Sequence, residues 1–600
     1  MADIRFEEEE FDAKFNGRTV LRIVRLTGKH WLLLVGFLSC VALTSLADSF
    51  INYLLKHIID RGIVGADRAF FIRGVLVFGL IASSFAGLIF GLIYCAGWLG
   101  ELLAYDLRKR LFDHLQGLSF SYFDRTPVGW IMSRVTSDTV RIADFATWML
   151  LDLAWGTMNI IFALVFMFTI NLRLALIIAV IMPVLVVLSA LFKKYIITEY
   201  RKVRSINSKI TGAYNESIQG VRVIKALVRE RINLHKFDEL TGTMYRASYR
   251  AAWLSSLFLP MVQVLSAVAV CAVFWYGGRQ ARIGTLTVGG IQAFVGYITF
   301  MLWPIQDLAR VYAEMQQAIA SGERVFSLLD TTPDIHDRPT AVPIAEAISA
   351  EIEFDDVEFY YEDDKPVLEQ FSLRVEPGET IALVGPTGGG KSTIVNLVCR
   401  FYEPKSGSIR MGGRDYRDYT IESLQSRLGV VLQTPHLFSG SIEENIRHGR
   451  LDATRDEIEA AARAAHAHEF VVELEHGYAE EVGEGGSLLS VGQKQLISLA
   501  RAILASPAII VMDEATSSID TVTEGLIQKG IEELFSDSTG FVIAHRLSTI
   551  RNADKILVIK NGRIEEAGSH TELIAREGQY HSLYTRQFRS ERTREVRALT

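Results

Sequence analysis

The most specific chemistry in this 600-residue chain lies in one short run: Gly385, Pro386, Thr387, Gly388, Gly389, Gly390, Lys391 and Ser392. An apolar run from Ile381 to Val384 precedes it and reads as a buried strand; Thr393 to Val398 follows and reads as a helix. A strand, a glycine-rich turn and a helix start together suit a phosphate group. The glycines let backbone N–H groups turn inward, and the helix start adds the positive end of its dipole. Lys391 can then reach the β and γ phosphates of a nucleotide, and the Ser392 hydroxyl can ligate Mg²⁺.

Two further runs belong to the same chemistry. The apolar strand from Ala508 to Met512 ends in two carboxylates, Asp513 and Glu514. After a phosphate loop, Asp513 belongs on the Mg²⁺ shell, and Glu514 is placed to polarise a water for attack on the γ-phosphate. Leu489-Ser490-Val491-Gly492-Gln493 precedes a helix from Lys494 to Leu504, so Ser490 and the neighbouring amides form another anion-seeking surface. One nucleotide need not occupy both surfaces. The simplest geometry sets two copies face to face, each lending its second surface to the other's nucleotide.

The elements that must carry these residues follow from composition. Hydrophobic residues make up 49% of the chain and the mean hydropathy is +0.22, which is high for a soluble protein and places part of it in a membrane. The net charge is only −7, with acid and base interleaved, so nothing points to a nucleic-acid partner. Cys40, Cys95, Cys271 and Cys399 are scattered and imply neither a disulfide framework nor a metal site. The acidic start, Glu7 to Glu10, is the wrong charge for a secretory signal and reads as a solvated tail. Arg18 to His30 alternates basic and apolar residues, which suits either a helix on the membrane surface or an ordinary soluble one.

Six apolar stretches follow, at roughly 31–55, 70–100, 145–170, 174–192, 252–277 and 287–306, each near or above the length that crosses a bilayer as a helix. The connections after the second and fourth are long and rich in Arg and Lys, including Arg108, Lys109, Arg110, Lys193, Lys194, Arg201, Lys202, Arg204 and Lys209. Positive charge stays inside, so both termini are expected in the cytoplasm. These connections keep helical periodicity, with a crosspiece expected at Ser119–Pro127 and another around Ile210–Gly220; plain turns are the alternative. Asp48 and Asp152 fall inside membrane stretches, where an ionisable group is a functional candidate, and they tilt the substrate toward cations. Phe50, Tyr53, Trp148, Trp155, Phe294, Tyr297, Phe300 and Trp303 can line an apolar cavity or serve packing, and Pro304 is expected to break or kink its helix. Past Leu329 a linker leads into a soluble α/β domain that begins with an alternating strand, Ile352 to Tyr361.

In this order the motifs resemble an ABC transporter of the exporter type, over about residues 18–585. The resemblance implies a membrane α-helical bundle of six transmembrane helices with long cytoplasmic extensions, fused to an α/β P-loop ATPase domain of ABC type. It implies that Tyr361 stacks the adenine and that Gln433 links the Mg²⁺ site to the membrane domain. Ser490, Gly492 and Gln493 then belong to the signature, Asp520 to a loop that crosses the dimer interface, and His545 to the sensing of the γ-phosphate. The catalytic set is thus Glu514, His545 and Gln433, with Ser392, Gln433 and Asp513 on the metal. The crosspieces become coupling helices, the second docking on the partner chain's ATPase.

The boundaries expected are a tail and possible elbow helix at 1–30, the transmembrane domain at 31–329, a linker at 330–350, the nucleotide-binding domain at 351–585 and a charged tail at 586–600. ATP and Mg²⁺ are the expected cofactors. Lipid, an amphipathic drug, lipid or peptide substrate and a second half-transporter are the expected partners, in what is expected to be a bacterial plasma membrane. One position departs from the family: Val491 stands where the signature usually has glycine. In some family members one half keeps the catalytic glutamate and carries an altered signature, so Glu514 with Val491 tilts the expectation from homodimer to heterodimer. The rival readings are an ATP-gated channel or regulatory subunit, the ATPase of an importer, and a peptide exporter with its own leader peptidase. The first lacks support because the glutamate is present and no regulatory segment is added, and the second because the membrane domain is fused. The third is disfavoured because about thirty residues without a cysteine precede the first membrane stretch.

Overall fold

A computed structural model describes residues 17–345, 350–362, 365–513, 521–536, 538–544 and 547–587. The chain divides into two compact units: one holds Leu118–Thr126 together with the chain from Thr332 onward, the other the rest of the amino-terminal half.

The membrane unit is built of long helices. After α1 (Gly17–Thr27) come α2 (Trp31–His57) and α3 (Arg68–Gln116). The chain then passes through a short helix, α4 (Phe120–Arg125), before the helical span Val128–Ile170, here α5, and α6 (Leu172–Gln219). A second short helix, α7 (Val221–Ala226), leads to α8 (Glu230–Arg282) and α9 (Val288–Asp330). Among the described residues five helical spans are long and apolar enough to cross a membrane; a further 43-residue helix has a shorter apolar segment, Val288–Pro304. Asp307, Arg310 and Glu314 end its apolar run. The amphipathic α1 buries Thr19, Ile23 and Thr27 on one face, and Arg22 binds Asp330 at the end of α9 through two hydrogen bonds of 2.6 and 2.9 Å.

Two expectations are corrected. Of the break or kink expected at Pro304, the break does not occur: α9 continues to Asp330, just as α6 and α8 continue through Pro183 and Pro260. Proline removes one backbone donor, and in a packed membrane bundle the neighbours re-satisfy what is freed. The second crosspiece does not lie at Ile210–Gly220, because α6 runs unbroken to Gln219 and the short helix is Val221–Ala226. Gly212 costs a 48-residue helix only about 1 kcal/mol, whereas Gly220 caps its end.

The other unit holds two sheets. A parallel core of β3 (Thr380–Val384), β6 (Leu428–Val431), β7 (Ile509–Asp513), β8 (Thr539–Ile543) and β9 (Lys555–Lys560) is extended by antiparallel β10 (Arg563–Gly568), in the order β10-β9-β3-β8-β7-β6. The four-stranded antiparallel sheet orders β2 (Pro366–Val375), β1 (Ile352–Tyr360), β4 (Ser406–Met411) and β5 (Arg414–Asp415). The core strands read as continuous apolar runs because both faces of the sheet are buried: β8 is buried throughout and β3 over four of its five residues.

Candidate functional site

Strand register gathers the nucleotide-site candidates at one sheet edge. Leu383 of β3 and Asp513 of β7 both sit opposite Ile543 of β8, so they are two strand spacings, about 10 Å, apart. The phosphate loop leaves β3 two residues past Leu383. Gln433 lies two residues past Val431, which pairs with Met512, so it too emerges beside Asp513. In a parallel sheet this carboxyl edge is where ligands bind.

The loop turns as its glycines require. Gly385, Gly388 and Gly390 have φ of +142°, +81° and +105°. A Cβ on Gly385 would collide with the carbonyl oxygen of Ile559, and one on Gly390 would come within 3.0 Å of Leu368. The helix α10 (Lys391–Val398) starts directly on this turn, with Gly390 as its cap. The Lys391 ammonium donates to the carbonyls of Gly385 and Pro386, each at 2.9 Å, and is nearly buried. Burial lowers its pKa, while the charge of Asp513 opposes that shift. Ser392 is exposed at the same helix start.

One set of oxygen donors lies at this edge. A hydroxyl, a side-chain amide and one carboxylate (Ser392, Gln433, Asp513) are hard oxygen donors of the kind Mg²⁺ takes. Among the described residues no group of three His, Cys, Asp or Glu could hold a metal unaided. Such a shell is completed by phosphate oxygens, which is how Mg²⁺ usually binds beside a nucleotide. The signature begins the helix α11 (Val491–Ala505): Ser490 Oγ accepts from the Gln493 N–H at 3.2 Å, and Gln493 Oε1 accepts from the Ser490 N–H at 2.9 Å. Val491 takes the first helical position with its side chain 48% exposed, and Gly492 is buried behind it.

Tyr361 stands at the end of β1, its hydroxyl within 3.3 Å of Thr393 Oγ1 and of Asn396 Nδ2 on α10. Its ring meets those of Phe359 and Tyr402 edge-on, at 4.8 and 5.0 Å. Glu514, Asp520 and His545 lie outside the described residues.

The first crosspiece forms where expected and belongs to the ATPase unit. The Tyr402 hydroxyl donates to Asp124 at 2.7 Å, and Arg125 donates to the carbonyl of Tyr361 at 3.3 Å. Phe120 stacks on Phe401 at 4.9 Å, and Ser121 donates to Asp334 at 2.6 Å. Burial, then the neighbouring Asp124 carboxylate, raises the pKa of Tyr402 far above its ordinary value. Sequence reasoning missed Tyr402, and it had Asp124 and Arg125 only as part of the crosspiece at Ser119–Pro127. The only available signal was an aromatic pair, Phe401-Tyr402, just past the phosphate helix.

The membrane unit contains a cavity of about 550 Å³ whose walls come from five helices and include both membrane acids, Asp48 and Asp152. Trp155 and Trp303 line it, with ring centroids 5.8 Å apart and near-perpendicular planes. Phe294 and Tyr297 are instead fully buried, Tyr297 donating to the carbonyl of Ser49 at 2.8 Å, and Phe50 and Tyr53 pack on Phe166. Asp152 is ion-paired at 3.0 Å with Arg310, which also holds Asp307 and Glu314, each at 3.2 Å.

Comparison with known proteins adds the following. Residues 33–305 match the family model described as the ABC transporter transmembrane region, and residues 368–517 match the one described as ABC transporter. An uncharacterised ABC transporter ATP-binding protein of Bacillus subtilis is 38% identical, covering 89% of this chain and 88% of that relative. An ATP-dependent lipid A-core flippase of Desulfotalea psychrophila is 37% identical over 89% of this chain and 93% of its own length. A fatty acid ABC transporter ATP-binding/permease protein of Mycobacterium bovis is 41% identical over 80% of this chain and 75% of its own.

Proposed function

Since the chain belongs to the ABC transporters, as an integral membrane protein that binds and hydrolyses ATP to export hydrophobic substrates, we propose that it works as one half of a dimer. Lys391 would leave the loop carbonyls for the β and γ phosphates, and Ser392, Asp513 and Gln433 would hold Mg²⁺. Bound there, Mg²⁺ neutralises charge that develops on the phosphate oxygens. Glu514 takes the proton of the attacking water, His545 contacts the γ-phosphate, Tyr361 stacks the adenine, and Asp520 crosses to the partner. The observation that carries this reading is the register that brings the phosphate loop, Gln433 and Asp513 to one sheet edge. ATP binding in both halves favours one membrane conformation and hydrolysis releases it, as for any ligand-biased two-state switch.

Closure presents Ser490, Gly492 and Gln493 to the partner's nucleotide. Val491 stands exposed at the same helix start, where its cost falls on whatever faces it rather than on this chain's own backbone. That favours a heterodimer in which the partner supplies an intact signature to the Glu514 site. The relatives named for lipid A-core and fatty acid support a hydrophobic or amphipathic cargo, and the bacterial relatives support a plasma membrane with the ATPase units on the cytoplasmic side. A tag on this chain should retrieve an equimolar second half-transporter from detergent-solubilised membranes. Retrieval of this chain alone, as a dimer that hydrolyses ATP at full rate, would overturn the heterodimer.

A further inference from the structure

The cavity in the membrane unit carries more information than its size. At about 550 Å³ it takes a drug-sized molecule. Among the described residues its wall includes three carboxylates, Asp48, Asp152 and Asp307, and no Lys, Arg or His. The nearby Arg310 is engaged with Asp152, Asp307 and Glu314, so it offsets that side of the cavity. Asp48 is different. Among the described residues no cationic side chain forms an ion pair with it, although it shares the cavity wall with Trp155. An ionised carboxylate in an apolar membrane cavity is costly without a counter-charge. The indoles of Trp155 and Trp303, set nearly perpendicular, line the same cavity, and indole rings attract cations.

We propose that this cavity binds a lipophilic organic monocation, with Asp48 as its counter-ion and Trp155 and Trp303 as its aromatic wall. The inference rests on the exporter reading and names its substrate class. An anionic amphiphile of the same size would bring like charge to an acid-lined wall and bind weakly. Gly156 lets its helix approach α9 closely in this wall, since a Cβ there would come within 3.0 Å of Pro304.

The test uses two probes of one shape and opposite charge, tetraphenylphosphonium and tetraphenylborate, bound to the full chain in lipid nanodiscs. Wild type should bind the phosphonium and bind the borate at least tenfold more weakly. Asp48→Asn should weaken the phosphonium at least tenfold without weakening the borate, Asp48→Glu should restore most of the loss, and Asp152→Asn should have a smaller effect. Equal binding of both probes by wild type, no phosphonium binding, or an unaffected Asp48→Asn would each overturn the proposal. ATP binding by each variant checks that it is folded. Glu514-dependent ATP turnover of wild type is scored separately, so a failed cation site and a failed exporter reading give different results.

Discussion

The two crosspieces, α4 and α7, are helices of six residues in matching places of the two long inner connections, yet their surroundings differ. The first is gripped by its own chain through the Phe120–Phe401 stack, the Tyr402–Asp124 bond and the Arg125 bond to Tyr361. The second buries nothing: Val223 is 61% exposed and Leu227 63%. A soluble surface seldom leaves β-branched and leucine side chains grouped in the open without a use for them. In the proposed dimer this contrast fits a chain that supplies only one of its two couplings within its own ATPase unit. The second crosspiece is the part expected to find its seat on a partner's ATPase.

Three substitutions sharpen or break this comparison. The largest effect is expected from Val223→Asp, which leaves the exposed α7 folded but puts a charge into the partner's seat. Substrate-stimulated ATP turnover of the dimer should fall roughly tenfold, as burial of an unpaired charge demands; unchanged stimulation would mean that α7 docks nowhere. Tyr402→Phe keeps the ring against Tyr361 and removes only the bond to Asp124, a loss of about 1 kcal/mol. A few-fold drop in stimulation with little change in the KM for ATP is the outcome that fits a link between α4 and the ATPase. A rise in KM alone would assign Tyr402 to nucleotide binding. The smallest effect is expected at Val228, a β-branched residue held at φ +51° just past α7. Val228→Gly should raise thermal stability by up to about 1 kcal/mol while leaving turnover near wild type, which calorimetry and an ATPase assay can check together.

The comparison also shows what the sequence could convey. The phosphate loop was legible because its chemistry is contiguous: backbone groups of neighbouring residues do the binding, and spacing along the chain is geometry. Asp513 was legible because it ends an apolar strand; Gln433 came from the family resemblance, and the pairing of β6 with β7 brings it to the same edge. Tyr402 was not, since its partner Asp124 lies 278 residues away and nothing local requires it. The second crosspiece was placed too early, around Ile210–Gly220, because the long helix α6 absorbs Gly212 and ends only at Gln219. Asp48 and Asp152 stood out as charges at membrane depth. Their difference did not, because Arg310 lies beyond Pro304, past the last apolar stretch, and only the fold returns it to Asp152.

The most direct test of an ATP-driven dimeric exporter is Mg²⁺-dependent ATP turnover in lipid vesicles. It should be measured on the complex that a tag on this chain retrieves, wild type beside Glu514→Gln. Loss of the catalytic base should lower turnover by about 100-fold or more while ATP still binds. Turnover equal to wild type in the Glu514→Gln complex would remove Glu514 from its role and contradict the account.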